Sequence, residues 1–201
     1  MKVGLYFGTF NPVHVGHLVI ANYMATMTDM DEIWMVVSPQ NPLKKKSTLL
    51  EDYHRLALVN EGIYDNPKLK SSDIEFKLPI PSYTATTLVY LKEKHPTNEF
   101  ALIMGEDNLR TFHKWKNHDV ILKDHDIYVY PRALTESELE NKKSEESNDF
   151  RNHPRVHMCD DVPVMKISSS FIRNQIKEGK DVQYLLTGPV LQYLTKMNFY
   201  K

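Results

Sequence analysis

Residues 8–17 read Gly8-Thr9-Phe10-Asn11-Pro12-Val13-His14-Val15-Gly16-His17, and this stretch decides the fold. The apolar run 3–7 before it predicts a buried first strand, and the run 18–24 after it predicts a helix. The chain therefore turns here from strand to helix, with two imidazoles on the first turns of that helix. Because the first backbone N–H groups of a helix lack intrahelical acceptors, the stretch predicts a phosphate-binding site.

The local sequence also predicts where this helix begins. Asn11 is expected to be the N-cap, because its side-chain oxygen can accept from a free backbone N–H. Pro12 suits the first helical position, which needs no donor. His14 and His17 would then share one helical face. Gly16 costs about 1 kcal/mol inside a helix relative to alanine, and close approach of a ligand to its backbone would explain its presence.

Two histidines three residues apart also occur on exposed helical faces and as half of a metal site. A zinc site is disfavoured, since no further His or Cys lies at close ligand spacing and the single cysteine, Cys159, is distant in sequence. The strand, the turn, the expected cap and the in-helix glycine agree with phosphate binding.

Length and composition limit the possible classes of protein. The 201 residues are expected to form one domain, 1–201, without a repeat or an interdomain linker. A net charge of −1 provides no broad basic surface for a nucleic-acid partner. One cysteine excludes an intramolecular disulfide, and we expect neither a signal peptide nor a membrane span. A cytoplasmic protein, either a monomer or a small homo-oligomer, is the resulting expectation.

Apolar runs alternate with helical patterns along most of the chain, which is typical of an α/β protein with a parallel sheet. Residues 134–153, rich in Glu, Ser, Lys and Asn, are expected to be a solvated excursion with a short helix at 136–141. The polar residues within the expected strand 69–76 place it near an edge. The other expected strands are 32–38, 100–104, 127–130 and 156–158, and the other expected helices are 49–63, 83–94, 169–178 and 188–196.

A second phosphate motif lies near the other end of the chain, in Lys166-Ile167-Ser168-Ser169-Ser170-Phe171-Ile172-Arg173. Hydroxyls at a helix start can cap the helix and also bind an anion. Arg173 lies one turn after Ser169 and can present a planar, charged fork to phosphate oxygens. Taken alone, the motif would better fit a plain N-cap with a solvent-exposed arginine, but beside the first motif it favours phosphate binding.

These two motifs carry a family resemblance. Residues 8–17 resemble the Gly-Thr/Ser-Phe-Asp-Pro-x-His/Thr-x-Gly-His opening of the nucleotidyltransferase superfamily, and residues 167–173 resemble its Ile-Ser-Ser-Thr-x-Ile-Arg motif. The resemblance implies a Rossmann-like nucleotidyltransferase fold, with a parallel sheet flanked by helices on both faces. Three further stretches are similar to those of bacterial nicotinate mononucleotide adenylyltransferases: Asn41-Pro42-Leu43-Lys44-Lys45, Pro81-Ser82-Tyr83-Thr84-Ala85-Thr86-Thr87-Leu88, and Met104-Gly105-Glu106-Asp107-Asn108-Leu109 with Phe112 and Trp115.

Three positions depart from the family pattern. Phe7 replaces the first of two usual glycines, Asn11 stands where aspartate is common, and Thr86 replaces an aspartate. Asparagine keeps the expected cap but lacks the charge. Thr86 removes any role for a carboxylate at that position, while the phosphate site is unaffected.

The resemblance implies transfer of the adenylyl group of ATP to nicotinate mononucleotide, giving deamido-NAD and pyrophosphate in NAD biosynthesis. The phosphate of the mononucleotide is the nucleophile, so in-line attack on the α-phosphorus needs no covalent enzyme intermediate. Mg²⁺ is expected to bind through the substrate phosphates, with no metal ligands from the protein.

The implied site residues fall into three groups. The catalytic residues are His14, His17 and Arg173. The residues expected to bind ATP and its phosphates are Gly8, Thr9, Phe10, Lys44, Ile167, Ser168, Ser169 and Ser170, although 44–46 equally fits a solvated loop. The residues expected to bind nicotinate mononucleotide are Asn11, Thr84, Gly105, Asp107 and Trp115.

Individual roles at the mononucleotide end follow from the resemblance together with side-chain chemistry. Trp115 is expected to stack on the pyridine ring, the alternative being a core tryptophan in a short helical turn with Phe112. By resemblance, Thr84 and the backbone near Trp115 are expected to meet the nicotinate carboxylate, and neutral donors there would favour an acid over an amide. The resemblance also implies that Asp107 contacts the ribose, and Asp107 could cap the helix that follows as well.

Three other functions are weighed against this one. A pantetheine-phosphate adenylyltransferase or a cytidylyltransferase would share the phosphate motifs, but the Pro-Ser-Tyr-Thr stretch and Trp115 argue against both. A fragment related to class I aminoacyl-tRNA synthetases would share the His-x-Gly-His motif, but no tRNA-binding part or lysine-flanked Met-Ser loop is evident. A nucleotide-binding regulator without catalysis is disfavoured by the intact His14, His17 and Arg173.

Overall fold

The computed structural model describes residues 1–39, 49–132 and 150–201. Within these ranges six parallel strands form one sheet in the order β3-β2-β1-β4-β5-β6. The chain order reverses between β1 and β4, and open α/β sheets bind ligands at the carboxyl ends of the strands at such a switch point. The strands are β1 (Lys2–Gly8), β2 (Glu32–Val37), β3 (Leu69–Ser72), β4 (Glu99–Gly105), β5 (Ile127–Tyr130) and β6 (Val156–Met158).

Helices connect and cover these strands. In the same ranges of the chain, no helix is long and apolar enough to span a bilayer. Short 3₁₀ turns lie at Ile74–Lys77, Phe112–Lys114, Phe150–Asn152 and Gln183–Leu185. The α-helices are α1 (Val15–Met27), α2 (Asp52–Ile63), α3 (Thr84–Lys94), α4 (Glu106–Arg110), α5 (His118–Asp124), α6 (Ser169–Lys177) and α7 (Gly188–Met197).

Side chains alternate between two cores along the central strands, because successive residues of a strand point to opposite faces. On β1, Leu5 belongs to the core formed with α3, α4 and α5, whereas Tyr6 belongs to the core formed with α1, α2, α6 and α7. On β4, Leu102 and Ile103 divide in the same way. Burial on both faces explains the near-continuous apolar runs, and the expected parallel sheet between two helical layers is confirmed.

The start of α1 differs from the expectation. The helix begins at Val15, and its N-cap is His14, whose backbone is extended at φ −147° and ψ 168°. The prediction that Asn11 caps the helix and Pro12 opens it is wrong. The reason is tertiary, because Asn11 Oδ1 already accepts from the Leu50 N–H at 3.2 Å and from the Tyr200 hydroxyl at 2.6 Å.

The expected strand 69–76 is also too long. β3 is an edge strand, as predicted, but it ends at Ser72 and a 3₁₀ turn follows. Glu75 is buried in that turn and accepts from the Thr87 hydroxyl of α3 at 2.9 Å. A turn that brings Glu75 to α3 replaces the last part of the strand.

Other boundaries agree more closely, although α2 begins at Asp52 and not at Leu49. Most of the expected excursion 134–153, with its helix at 136–141, lies outside the described residues. Its described end is not purely solvated, since the Phe150 ring packs edge-on against Phe112 at 5.6 Å between centroids.

Candidate active site

An open cavity of about 370 Å³ lies at the carboxyl ends of β1 and β5. Its wall is built from the loop after β1, the start of α1, the segment leading into α6 and the end of β5. Phosphate motifs from opposite ends of the sequence therefore meet at one place. Among the described lining residues are eleven that the sequence predicts for the site: Gly8, Thr9, Phe10, Asn11, His14, His17, Ile167, Ser168, Ser169, Ser170 and Arg173.

The two predicted histidines form a stacked pair at the start of α1. Their ring centroids lie 3.7 Å apart, with 27° between the ring planes. The backbone N–H of His14 donates to Nδ1 of His17 at 3.3 Å. Since Nδ1 accepts this bond, the neutral His17 ring carries its proton on Nε2.

His14 is the more deeply placed of the pair, with 5% of its surface exposed. Its Nδ1 atom is buried and has no hydrogen-bond partner in the described parts of the chain. Burial lowers the pKa of His14 to about 4, because a charged ring would be poorly solvated there. The ring is therefore neutral near neutral pH in the free protein, and bound phosphate charge would raise its pKa.

The glycine inside α1 is explained by this histidine. A β-carbon on Gly16 would lie 3.0 Å from Nδ1 and 3.1 Å from Cε1 of the His14 ring. His14 therefore approaches the Gly16 backbone closely, and since Gly16 also lines the cavity, the close approach of a ligand there stays a prediction. Gly8 has a related role, since a β-carbon there would come within 2.8 Å of the Phe10 ring, which folds back at a φ of 44°.

The second motif begins α6 beside the first. Ser168 is the N-cap, and its Oγ accepts from the Phe171 N–H at 3.1 Å. The Ser169 hydroxyl donates to the Pro12 carbonyl at 2.9 Å, which joins the start of α6 to the loop before α1. Two helix N-termini thus contribute to one cavity, and each favours a bound anion through its free N–H groups and its dipole.

Arg173 completes this junction. Its Nη1 donates to the Asn11 carbonyl at 2.8 Å, and its Nη2 donates to Ser170 Oγ at 3.1 Å. The interpretation of Arg173 as a purely solvent-exposed residue is therefore excluded. A guanidinium has five N–H donors, so Arg173 keeps further donors for a ligand at the cavity.

The cavity is suited to anions and not to metal ions. The described residues that line it include Arg132 and Arg173 but no Asp or Glu. In ranges 1–39, 49–132 and 150–201, no group of three or more His, Cys, Asp or Glu side chains could hold a metal ion. The donor set therefore fits phosphate groups.

Sequence reasoning missed Arg55, which holds the loop after β1 from the interior. Arg55 is fully buried, pairs with Asp52 and donates to four main-chain carbonyls. A signal was present, because Arg55 lies on the buried stripe of α2, where an apolar residue is usual. The four carbonyls are those of Thr9 at 2.7 Å, Ser38 at 2.8 Å, Leu50 at 3.0 Å and Pro39 at 3.3 Å.

Residues predicted for the mononucleotide are more dispersed, with the exception of Asn11. Thr84, Gly105, Asp107 and Trp115 are not among the lining residues of the cavity. The expectation that Asp107 could cap α4 is wrong, because Gly105 is the N-cap. Asp107 instead forms an ion pair with Arg132, which lines the cavity.

Thr84 and Trp115 lie on adjoining segments. Thr84 is the first residue of α3, and the ring of the preceding Tyr83 lies 4.6 Å from Nζ of Lys116. Trp115 is half-buried, and its ring lies 5.4 Å from that of Phe112. Core packing is thus part of the environment of Trp115. The predicted Lys44 lies outside the described residues.

Comparison with known proteins agrees with this geometry. The cytidylyltransferase-like family model matches residues 5–175. A protein of Flavobacterium johnsoniae named "probable nicotinate-nucleotide adenylyltransferase" is 59% identical over 201 residues, which cover all of both chains. Relatives of the same name from Flavobacterium psychrophilum and Bacteroides fragilis are 56% and 41% identical, covering 100% and 92% of this chain and 100% and 87% of their own.

This chain belongs to the nicotinate-nucleotide adenylyltransferase family. The resemblance carried by the two phosphate motifs and the three further stretches is thereby confirmed.

Solved structures extend the comparison to the fold of the family. A Plasmodium falciparum nicotinic acid mononucleotide adenylyltransferase complexed with NaAD matches with a TM-score of 0.75 and 20% identity, covering 99% of this chain and 97% of that one. The same enzyme complexed with APC matches with a TM-score of 0.73 and 19% identity, over 99% and 96%. At these identities the likeness establishes the fold, and the Rossmann-like nucleotidyltransferase fold is confirmed.

Proposed function

We propose that this chain transfers the adenylyl group of ATP to nicotinate mononucleotide, releasing pyrophosphate and forming deamido-NAD. The observation that carries the proposal is the junction of two phosphate motifs at one cavity, where His14, His17 and Arg173 meet two helix N-termini. Membership of the adenylyltransferase family points to the acceptor.

The reaction requires little covalent chemistry from the protein. A phosphate oxygen of the mononucleotide attacks the α-phosphorus of ATP in line, and a new P–O bond forms. The bond from the α-phosphorus to the bridging oxygen breaks, and that oxygen leaves with pyrophosphate. Because the nucleophile is already an anion, no protein base is needed, and catalysis rests on positioning and charge stabilisation.

The proposed roles follow from the donors at the cavity. His17 would donate from Nε2, since its Nδ1 is engaged by the His14 N–H. The guanidinium of Arg173 would stabilise the charge that moves toward the leaving group. His14 would donate to the same phosphates. The remaining residues proposed to bind ATP are Gly8, Thr9, Phe10, Lys44, Ile167, Ser168, Ser169 and Ser170.

The mononucleotide would extend from the cavity toward β4 and α3. Asp107 would accept from the ribose beside its partner Arg132. Thr84 would meet the carboxylate and Trp115 would stack on the pyridine ring, at adjoining segments of the chain. Asn11 and Gly105 complete the set proposed for this substrate.

Mg²⁺ is proposed to reach the site with the substrates. The described residues that line the cavity include no carboxylate, so this part of the chain offers no suitable set of Mg²⁺ ligands there. When bound to the phosphates, the ion would neutralise part of their negative charge. All donors assigned above act on the phosphates without contacting the ion.

Several wider properties belong to the same proposal. A single domain, a cytoplasmic location and a monomer or small homo-oligomer would suit an enzyme that acts on soluble nucleotides. Cys159 is a free thiol, which fits a reducing compartment. The near-neutral charge supports the proposal that nucleic acid is not a partner.

Steady-state release of pyrophosphate tests the function directly. Nicotinate mononucleotide, nicotinamide mononucleotide and phosphopantetheine would be compared as acceptors with ATP, and CTP would replace ATP in a parallel series. We expect the highest kcat/KM with ATP and the acid mononucleotide. Turnover with phosphopantetheine alone would overturn the acceptor, preference for CTP would overturn the donor, and nucleotide binding without release would favour a regulator.

A further inference from the structure

The loop between β1 and α1 is held from behind by a tyrosine at the other end of the sequence. The Tyr200 hydroxyl donates to Asn11 Oδ1 at 2.6 Å, and the Leu50 N–H donates to the same oxygen at 3.2 Å. Asn11 is 3% exposed, so its side chain is enclosed by the protein. Loss of a donor here would leave a buried polar oxygen with fewer partners, which carries a cost.

Asn11 links this interior contact to the cavity. Its side-chain oxygen binds Tyr200, and its main-chain carbonyl accepts from Nη1 of Arg173 at 2.8 Å. The direction of that carbonyl therefore depends on how the Asn11 side chain is held, and the orientation of the Arg173 guanidinium depends on the carbonyl. One connected series of hydrogen bonds therefore runs from Tyr200 through Asn11 to Arg173.

Tyr200 is itself held in an unusual conformation. Its φ of 65° lies in the left-handed region, which bulky residues rarely adopt. Its ring packs against the core formed with α1, α2, α6 and α7, next to Phe199. Burial raises the pKa of Tyr200, so the hydroxyl keeps its proton and acts as the donor. A backbone strained in this way persists only where surrounding contacts fix it.

We propose that Tyr200 is a positioning residue for adenylyl transfer, which rests on the function proposed above. Its hydroxyl fixes the Asn11 side chain, and through the Asn11 carbonyl it aims Arg173 at the phosphates in the cavity. Tyr200 acts without touching substrate. Its effect is therefore expected on kcat, where guanidinium orientation matters, and not on the binding of either substrate.

Tyr200→Phe removes this hydroxyl and keeps the ring. We expect kcat to fall about tenfold, with KM for ATP and for nicotinate mononucleotide within about twofold of wild type. The matched control is Tyr193→Phe, because the Tyr193 hydroxyl bonds His54 at 3.0 Å in the same aromatic neighbourhood without contacting the loop. That control is expected to keep kcat within about twofold. An unchanged kcat in Tyr200→Phe would overturn the proposal.

A double-mutant cycle separates positioning from simple stabilisation. In an Arg173→Lys background, no guanidinium remains to be aimed, so Tyr200→Phe should change kcat by less than about twofold. Thermal unfolding of all four proteins is measured alongside. If Tyr200→Phe lowers kcat equally in both backgrounds, its role is structural only and the proposal is wrong.

A second variant covers the case in which Tyr200→Phe does not fold. Asn11→Leu removes the acceptor of the same hydrogen bond and keeps a side chain of similar size, so kcat should fall at least about tenfold. An unchanged kcat in a folded Asn11→Leu protein would contradict the proposal. Turnover of the wild type distinguishes failure of the proposed function from failure of the Tyr200 proposal. If the wild type does not use nicotinate mononucleotide, the proposed function is wrong. The comparison of Tyr200→Phe with wild type can then still be made with the acceptor that does react.

Discussion

The phosphate end and the mononucleotide end of the proposed site differ in how firmly the protein builds them. At the phosphate end, buried contacts from Arg55 and Tyr200 support the loop, and hydrogen bonds join it to α6. At the other end, Thr84 and Trp115 lie outside the cavity on adjoining segments. The comparison teaches that the proposed phosphate donors are already ordered in the unliganded protein, so we expect changes there to affect kcat, whereas changes at the proposed mononucleotide end should affect KM.

The largest effect is expected at the center of the phosphate end. His17→Ala removes a donor to the leaving group and should lower kcat by about 10³-fold, while the fold is retained. Pyrophosphate release and thermal unfolding measure the two parts of this prediction. The control is His95→Asn, since His95 follows α3, packs against Trp34 and Phe100 and does not line the cavity. A loss within a few-fold would show that His17 is not a catalytic donor.

The neutral state of His14 gives a second test of preorganisation. The unfolded chain binds a proton at position 14 below pH 6.5, whereas the folded chain does so only near pH 4. The free energy of unfolding of the wild type should therefore fall by about 3 kcal/mol, through this residue alone, as the pH falls across that window. The His14→Gln variant has no group that titrates at this position, so its free energy of unfolding should fall less on acidification.

Urea unfolding at several pH values across the same window measures this difference. The wild type and the His14→Gln variant are compared at each pH, so contributions from all other titrating groups cancel. Parallel dependence of the two unfolding free energies on pH would contradict a buried, neutral His14.

Arg173→Lys tests the geometry of the guanidinium at the same end. Lysine keeps the charge but cannot bond the Asn11 carbonyl and phosphate oxygens with one planar group. We expect kcat to fall about 30-fold, equivalent to about 2 kcal/mol. The matched control is Arg155→Lys, because Arg155 forms an ion pair with Asp126 and does not line the cavity. Equal activity of Arg173→Lys and wild type would remove Arg173 from the mechanism.

The smallest effect is expected at the mononucleotide end. Trp115→Ala should raise KM for nicotinate mononucleotide about tenfold, since loss of stacking costs about 1.4 kcal/mol, and should leave KM for ATP nearly unchanged. The other tryptophan provides the control, because Trp34 packs against Phe100 and His95. Trp34→Ala should lower stability without changing the ratio of the two KM values. Equal increases in both KM values for Trp115→Ala would favour the core interpretation.

Local sequence patterns predicted the sheet because it depends on periodicity, and the family resemblance implied that the two phosphate motifs form one site. They failed where a distant partner decides the local structure. Asn11 looks like a helix cap in sequence, but its oxygen is taken by Tyr200 and Leu50. The strand 69–76 looks continuous, but Glu75 turns toward Thr87.

Arg55 shows the same limit for the site itself. Its position on the buried stripe of α2 is visible in the sequence, yet the carbonyls that it binds belong to two separate connections, one after β1 and one between β2 and α2. Chemistry carried by consecutive residues was therefore predictable. Chemistry that depends on main-chain groups gathered by the fold was not.

The contact between Gly16 and the His14 ring has a consequence for engineering this protein. Alanine at position 16 would gain up to about 1 kcal/mol of helix propensity. Its methyl group would also press on an imidazole only 3.0 Å away. Whether the change raises thermal stability therefore depends on how far the imidazole can give way, and an imidazole moved from its place at the cavity is expected to lower turnover, so thermal stability and turnover would compete at this position.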